Sequence, residues 1–279
     1  MHRPAPLLAA WALAKREVVR FLRQRNRVIG ALGQPLLFWL LFGAGLQRSF
    51  RLSAAGDESQ SFLEYYFPGT LVLILLFTAI FATISIIEDR REGFLQSVLA
   101  SPAPRWSMVL GKVAGGAAIA VLQGLIFLGL ALTLEIELTL LSLLALALLL
   151  TVTAVALTSL GFVLAWRMDS TQGFHAIMNL FLMPMWLLSG AFFPPPAVGP
   201  GAEWSQWLVH AAMRVNPLTY AVGGVRRLLY AGGAGSLDSA LFWTPSLTAC
   251  WVVTFAFAAI AFAAAWRMAA APTRGDFGS

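Results

Sequence analysis

Residues 65–87 read YYFPGTLVLILLFTAIFATISII, and residues 88–112 follow at once as EDRREGFLQSVLASPAPRWSMVLGK. The first stretch holds no Asp, Glu, Lys or Arg and is long enough as a helix to cross roughly 30 Å of hydrocarbon. The second opens on Glu88, Asp89, Arg90, Arg91 and Glu92, then sets Phe94, Leu95, Val98 and Leu99 at helical spacing. It closes on Pro102 and Pro104, where a helix cannot continue. This order predicts a membrane span, then a short amphipathic helix over residues 88–99 held at the membrane surface. A helix lying on lipid is rich in Lys and Arg, whereas this one mixes acids and bases beside an apolar ridge, a pattern that fits a protein groove better.

Working outward, five further uncharged stretches appear at 28–46, 113–134, 138–166, 170–193 and 241–266. One charge at the centre of such a helix costs about 2.5 to 3.5 kcal/mol on the insertion scale, so its absence from six stretches marks six spans. The composition agrees: 59% of the 279 residues are hydrophobic and 11% charged, with a mean hydropathy of +0.76. A soluble domain carries about a quarter charged residues. Ten-residue alternating segments of the barrel type are missing, which leaves helices as the spanning element. The expected fold is an all-α integral membrane protein with six transmembrane helices. Its expected organisation is a cytosolic interfacial helix over 1–27, a transmembrane domain over 28–266 and a cytosolic tail over 267–279.

The net charge of +6 and pI near 10.2 point to lipid and topology rather than nucleic acid, because the basic residues flank the spans. With both termini on one side, that side holds fourteen Lys and Arg: seven in 1–27, four in 88–112, Arg167, and two after the last span. The other side holds five: Arg48, Arg51, Arg214, Arg226 and Arg227. The excess places both termini in the cytosol. The seven basic residues of 1–27, with no compact apolar run and cleavage site, argue against a cleaved signal.

Within 5–27, Leu7, Leu8, Trp11, Ala14, Val18, Phe21 and Leu22 share a stripe, and Lys15, Arg16, Arg20, Arg23 and Arg27 surround it. Such a helix suits the inner interface, with basic side chains reaching lipid phosphates, either as a topology anchor or as a lever that moves with a partner. Residues 194–240 form a long outward connection. Trp204, Trp207, Leu208 and Ala211 take one face of its first helix, and Glu203, Gln206, His210 and Arg214 take the other. Asn216-Pro217 breaks this helix before a second over 218–230. Two short helices on or in the outer leaflet are expected, or a folded cap.

No HExxH, GxSxG or protease serine pattern is present, and Gly111-Lys112 is followed by Val113 in place of the hydroxyl of a phosphate loop. Cys250 is the single cysteine, which excludes an internal disulfide. No metal site is expected. His175 and Asn179, one turn apart, are the most hydrophilic pair inside a span, with Gln123 a lone counterpart; they face either a path or a neighbouring helix. Glu135 and Glu137 mark helix ends. The absence of acids within the spans argues against ion-coupled transport.

Three stretches together resemble the permease family of type-2 ABC exporters, the drug-resistance, lipo-oligosaccharide and polysaccharide kind. They are Glu88 through Gly93 to Pro102 with Arg105-Trp106 and Leu110-Gly111-Lys112; Pro184 through Leu188-Ser189-Gly190 to Phe193-Pro194; and Asn216-Pro217-Leu218-Thr219-Tyr220-Ala221-Val222. Gly223 departs from the family, which often carries an acid there.

The resemblance implies a multi-pass permease of the plasma or inner membrane. It would pair with a second copy and with separate ABC ATPase subunits that hold ATP and Mg, while this chain binds no cofactor and is not itself an enzyme. Glu88, Asp89, Arg90, Arg91, Glu92, Gly93, Phe94, Leu95, Val98 and Leu99 would dock in the ATPase. Trp11, Lys15, Arg16, Arg20, Phe21 and Arg23 of the interfacial helix would support that contact. Spans two and five would line the dimer interface and path, with His175 and Asn179 on it. Trp204, Trp207, Asn216, Pro217, Leu218, Thr219 and Tyr220 would gate the exit. The substrate would be drug-like, lipid-linked or saccharide. The alternative is a polytopic assembly factor or membrane enzyme with no transport role.

Overall fold

The structure is a computed structural model that describes residues 5–46, 62–134, 136, 138–196, 198–199, 201–230 and 243–271. Its helices are α1 (Pro6–Arg23), α2 (Arg25–Leu46), α3 (Phe62–Arg91), α4 (Phe94–Ala100), α5 (Arg105–Leu128), α6 (Leu140–Trp166), α7 (Thr171–Trp186), α8 (Trp204–Val215), α9 (Pro217–Leu229) and α10 (Leu247–Ala270). A 3-10 segment, Gly129–Leu134, prolongs α5, and a π turn, Leu187–Ala191, ends α7. Among the described residues six helical segments are long and apolar enough to cross a membrane: α2, α3, α5 with its extension, α6, α7 with its π turn, and α10. The all-α membrane fold expected from the sequence is the one found.

The ends differ from the sequence expectation in ways that matter. α3 runs four residues past 87, so Glu88 to Arg91 belong to the span's last turn and not to the surface helix. α5 begins at Arg105, which takes Lys112 into the body of the helix. Glu135, Glu137, Arg48, Arg51, residues 241–242 and the tail from 272 lie outside the described residues.

Local chemistry sets the boundaries. Thr139, Ser170 and Ser246 each cap a helix by accepting a backbone N–H with the side-chain oxygen. Glu203 and Gln206 form a reciprocal capping box on α8. Gly93 separates α3 from α4 at φ 78, a backbone conformation that glycine adopts without strain.

α3 is the central helix, flanked by α2, α5, α6, α7 and α9. Every residue from 65 to 80 is buried. Lipid tails are as apolar as these side chains, so their burial supplies packing contacts more than a hydrophobic driving force. Close approach through small residues does the joining: Gly116 faces Thr158 and Ala82, and Gly161 faces Thr83. Gln123 of α5 accepts the Thr78 hydroxyl of α3.

α1 lies along α5 by the same device. A Cβ on Gly111 would stand 2.6 Å from the Ala10 carbonyl oxygen, and one on Gly115 2.9 Å from that of Ala14. Two glycines four apart therefore meet two alanines four apart. Gly111→Ala is expected to push α1 off α5 and destabilise the fold by about 1 to 3 kcal/mol, the usual cost of overpacking. Faster protease cleavage within α1 would report it, and unchanged cleavage would refute the packing argument.

Candidate functional site

The second half of α1, the start of α2, the last turn of α3 and the first half of α5 gather at one end of the molecule, the charged end. Glu88 and Glu92 fall at i and i+4 on α3 and its exit and share a face, and Asp89, one step round the helix, turns toward α1 and α5. Asp89 is fully buried. It accepts from Arg16 at 2.8 and 3.0 Å, from Arg20 at 2.6 Å, and from the Lys112 ammonium. Lys112 also donates to Glu17 at 2.8 Å, and Arg16 reaches Glu17 at 3.1 Å. Arg20 joins Glu88 at 2.9 Å and Glu92 at 3.4 Å, and Arg27 joins Glu88. Four cations and four carboxylates thus balance in one network across α1, α2, α3 and α5. The hydrogen bonds that Arg16 donates to Asp89 outweigh desolvation and hold its guanidinium above its ordinary value.

This arrangement corrects two expectations. Arg16 and Arg20 do not reach out to lipid phosphates; both are half-buried, Arg16 held by Glu17 and Asp89 and Arg20 by Glu88, Asp89 and Glu92. The stripe that α1 turns inward is Ala10, Ala14, Glu17 and Phe21, while Trp11 is 68% exposed and Lys15 and Arg23 face outward. The charges of 88–92 likewise make contacts within the chain, with Asp89 buried and Arg91 and Glu92 still exposed. The sequence pattern singles out Arg27 and Lys112 as basic residues without revealing their carboxylate partners, and it passes over Glu17. Glu17 carried a signal, as the only acid in 1–27 and on the inward stripe with Ala10 and Ala14.

Arg90 and Arg91 point the other way. Arg90 donates to the Met168 carbonyl at 3.2 Å and to that of Trp166, and Arg91 donates to the Asp169 carbonyl at 2.6 and 3.0 Å. These oxygens end α6 and lead into α7, where a helix leaves carbonyls unpaired and its dipole favours a cation.

Between the two sets of contacts hangs α4. The Arg16 guanidinium lies over the Phe94 ring at 3.7 Å, tying α4 to α1. Leu95 is 4% exposed and packs into the core, which corrects its expected place on a docking ridge. Gln96, Ser97 and Ala100 form the exposed face, and Val98 and Leu99 are half-buried. An apolar groove of about 340 Å³ opens between Ala9, Ala12 and Leu13 of α1 and Phe94, Ser97 and Val98 of α4.

The opposite, distal end is built around a broken helix. Pro184 lies in α7, and Gly190 at φ 76 turns the chain out of the helical path. The freed carbonyls find donors on other helices. Asn216 caps α9 by accepting from the Leu218 N–H, while its amide donates to Met185 at 2.6 Å and Leu188 at 3.0 Å. Thr219 donates to Leu188 at 3.3 Å. Arg226, 6% exposed, donates to Gly190 at 3.0 Å and Tyr65 at 3.2 Å and lies over the Tyr65 ring. The Tyr65 hydroxyl also reaches Gly190, and the Trp186 indole reaches the Gly69 carbonyl. Pro217 takes the first helical position of α9, Leu218 is buried, and Tyr220 donates to Arg214. The Asn-Pro-Leu-Thr motif is therefore the clamp on the break in α7.

On α8, Trp204, Trp207, Leu208, Ala211 and Val215 form an outward apolar stripe. His175 sits half-buried against Phe81 and Phe174, and Asn179 is exposed on α7. α3 shows little but Phe81 along its middle, so the second span is an internal strut, contrary to its expected place on the path wall. Among the described residues no cluster of His, Cys, Asp and Glu fits a metal ion.

Comparison with known proteins follows the same lines. The chain is 26% identical over 240 residues to a protein of Cyanophora paradoxa named as a transport permease, ycf38, covering 83% of this chain and 77% of that one. It is 23% identical over 261 residues to the daunorubicin resistance ABC transporter permease protein DrrB1 of Streptomyces coeruleorubidus, covering 89% and 83%. A family model described as ABC-2 type transporter matches residues 9–230, which contain both the network and the clamp, and the chain belongs to that family.

Proposed function

We propose that this transmembrane ABC transporter subunit is the permease of an exporter driven by ATP hydrolysed on a separate ATPase subunit, with Mg and ATP held there. The charged end is then cytosolic, both termini lie on that side of the plasma or inner membrane, and a second copy completes the transporter. One observation carries the reading: α4 is a short helix with an uncharged exposed face, tied to α1 through Phe94 and rooted on the last turn of α3, which Arg90 and Arg91 fix to the α6–α7 junction. A face with no charge of its own, next to an apolar groove, suits a protein cleft. His175 and Asn179 lie where a substrate path along α7 would pass, and α8 with the Asn216 clamp lies where an exit gate would stand. The relative named for daunorubicin resistance favours amphiphilic substrates of drug-like or lipid-linked kind.

The test is co-purification with an ABC ATPase subunit from the host cell. The unaltered chain is expected to retain one. Ser97→Asp with Ala100→Asp, both exposed, is expected to weaken retention at least about tenfold, a loss of roughly 1.4 kcal/mol or more at an interface centre, without shifting the melting temperature. Equal retention by the variant, or none by the unaltered chain, would sink the reading. Leu95 is unsuitable for this test, because charge there would disrupt the core.

A further inference from the structure

Consecutive residues on a helix point about 100° apart, and the last turn of α3 uses that geometry to hold two different bodies. Asp89 faces the network with α1 and α5, while Arg90 and Arg91 hold the carbonyls of Trp166, Met168 and Asp169 at the junction of α6 and α7. Arg90 also lies 5.5 Å from the Trp166 ring and is three-quarters buried. The Asp169 side chain adds little, being 95% exposed at 3.5 Å from Arg90. The contact is therefore fork to backbone, and it grips wherever the chain of 166–169 goes. Gly93 gives α4 an articulated root immediately after these residues. At its far end α7 carries the break at Gly190 that Asn216 and Arg226 clamp.

We propose that Arg90 and Arg91 are positioning residues that carry a displacement of α4 to the start of α7, so that the fifth span, and through it the distal clamp, follows the ATPase. The proposal rests on the reading that α4 receives the ATPase. The alternative route through the body of α3 is stiff, since that helix is packed on all sides, whereas the arginine contacts bypass it. Arg27 and Glu88 connect the same elbow to α2 independently.

The experiment uses the permease in complex with its ATPase and reads maleimide labelling, with and without ATP. One reporter is Asn179→Cys on α7 and another is Leu40→Cys on α2, both exposed. Cys250 is buried and gives little background. In the otherwise unaltered complex both reporters are expected to respond to ATP. With Arg90→Gln and Arg91→Gln, the ATP response at 179 is expected to fall at least about fivefold, the lower range of coupling between sites, while the response at 40 and ATPase retention persist. A full response at 179 in that variant overturns the link. No response at either reporter in the unaltered complex overturns the function on which the link rests. Where the glutamine variant fails to accumulate, Arg90→Lys with Arg91→Lys decides, because it keeps the charge but loses the fork. Attenuation at 179 alone supports the link, and equal attenuation at both positions overturns it.

Discussion

Asp89→Ala is expected to destabilise the folded chain by about 3 to 5 kcal/mol, the range for removing one partner of a buried ion pair. Asp89 is fully buried and shared by Arg16, Arg20 and Lys112. Without it Lys112, 6% exposed, keeps only Glu17 as a carboxylate. Two guanidiniums lose their central acceptor, and α1 is left with Arg20 on Glu88 and Glu92 as its ion pairs to α3 and its exit. The measurements are the melting temperature of the purified permease and protease cleavage within α1. Asp89→Asn, which keeps the shape and one acceptor, should lose less. Asp89→Leu with Lys112→Met should recover stability relative to Asp89→Ala, because replacing a whole buried pair by apolar side chains is often neutral or better. If Asp89→Ala melts with the unaltered chain, the network is ornamental.

The same network shows where sequence reasoning stops. The six spans were legible, because absence of charge over 19 or more residues leaves few alternatives. The stop of α4 at Pro102 was legible too, since proline forbids continuation locally. The partners of the charges were not. A count of basic residues for sidedness treats Lys112 and Arg105 alike, yet Lys112 is buried on Glu17 and Asp89. Those partners lie 95 and 23 residues away in the chain, beyond the reach of helical periodicity. The central place of α3 was hidden for a related reason: in lipid every span is apolar all round, so hydropathy cannot tell an inner helix from an outer one. Asn216-Pro217 was readable as a helix break with a cap, but its second use, closing the carbonyls of Met185 and Leu188, depends on a break in α7 that comes from Gly190.

For the exporter proposed above, Gly69→Ala is expected to abolish export while ATPase retention persists, because its effect falls at the distal end alone. A Cβ on Gly69 would stand 2.6 Å from Ala191 Cβ, 2.7 Å from its Cα and 2.8 Å from its carbonyl oxygen. Two of these atoms are backbone, so no rotamer change relieves the clash, and α3 must part from the π turn. The strain itself costs about 1 to 3 kcal/mol. Parting also breaks the Trp186 bond to Gly69 and the Tyr65 and Arg226 bonds to Gly190, each worth roughly 1 kcal/mol or more when a polar group is left buried without a partner. Arg226 suffers most, since a buried guanidinium released from Gly190 keeps only the Tyr65 carbonyl and ring and has no water to turn to. The expected readout is loss of substrate export in cells, with a lowered melting temperature and unchanged co-purification of the ATPase. Normal export by Gly69→Ala would mean that the break in α7 tolerates displacement, and the clamp of Asn216 and Arg226 would then be packing without a gating role.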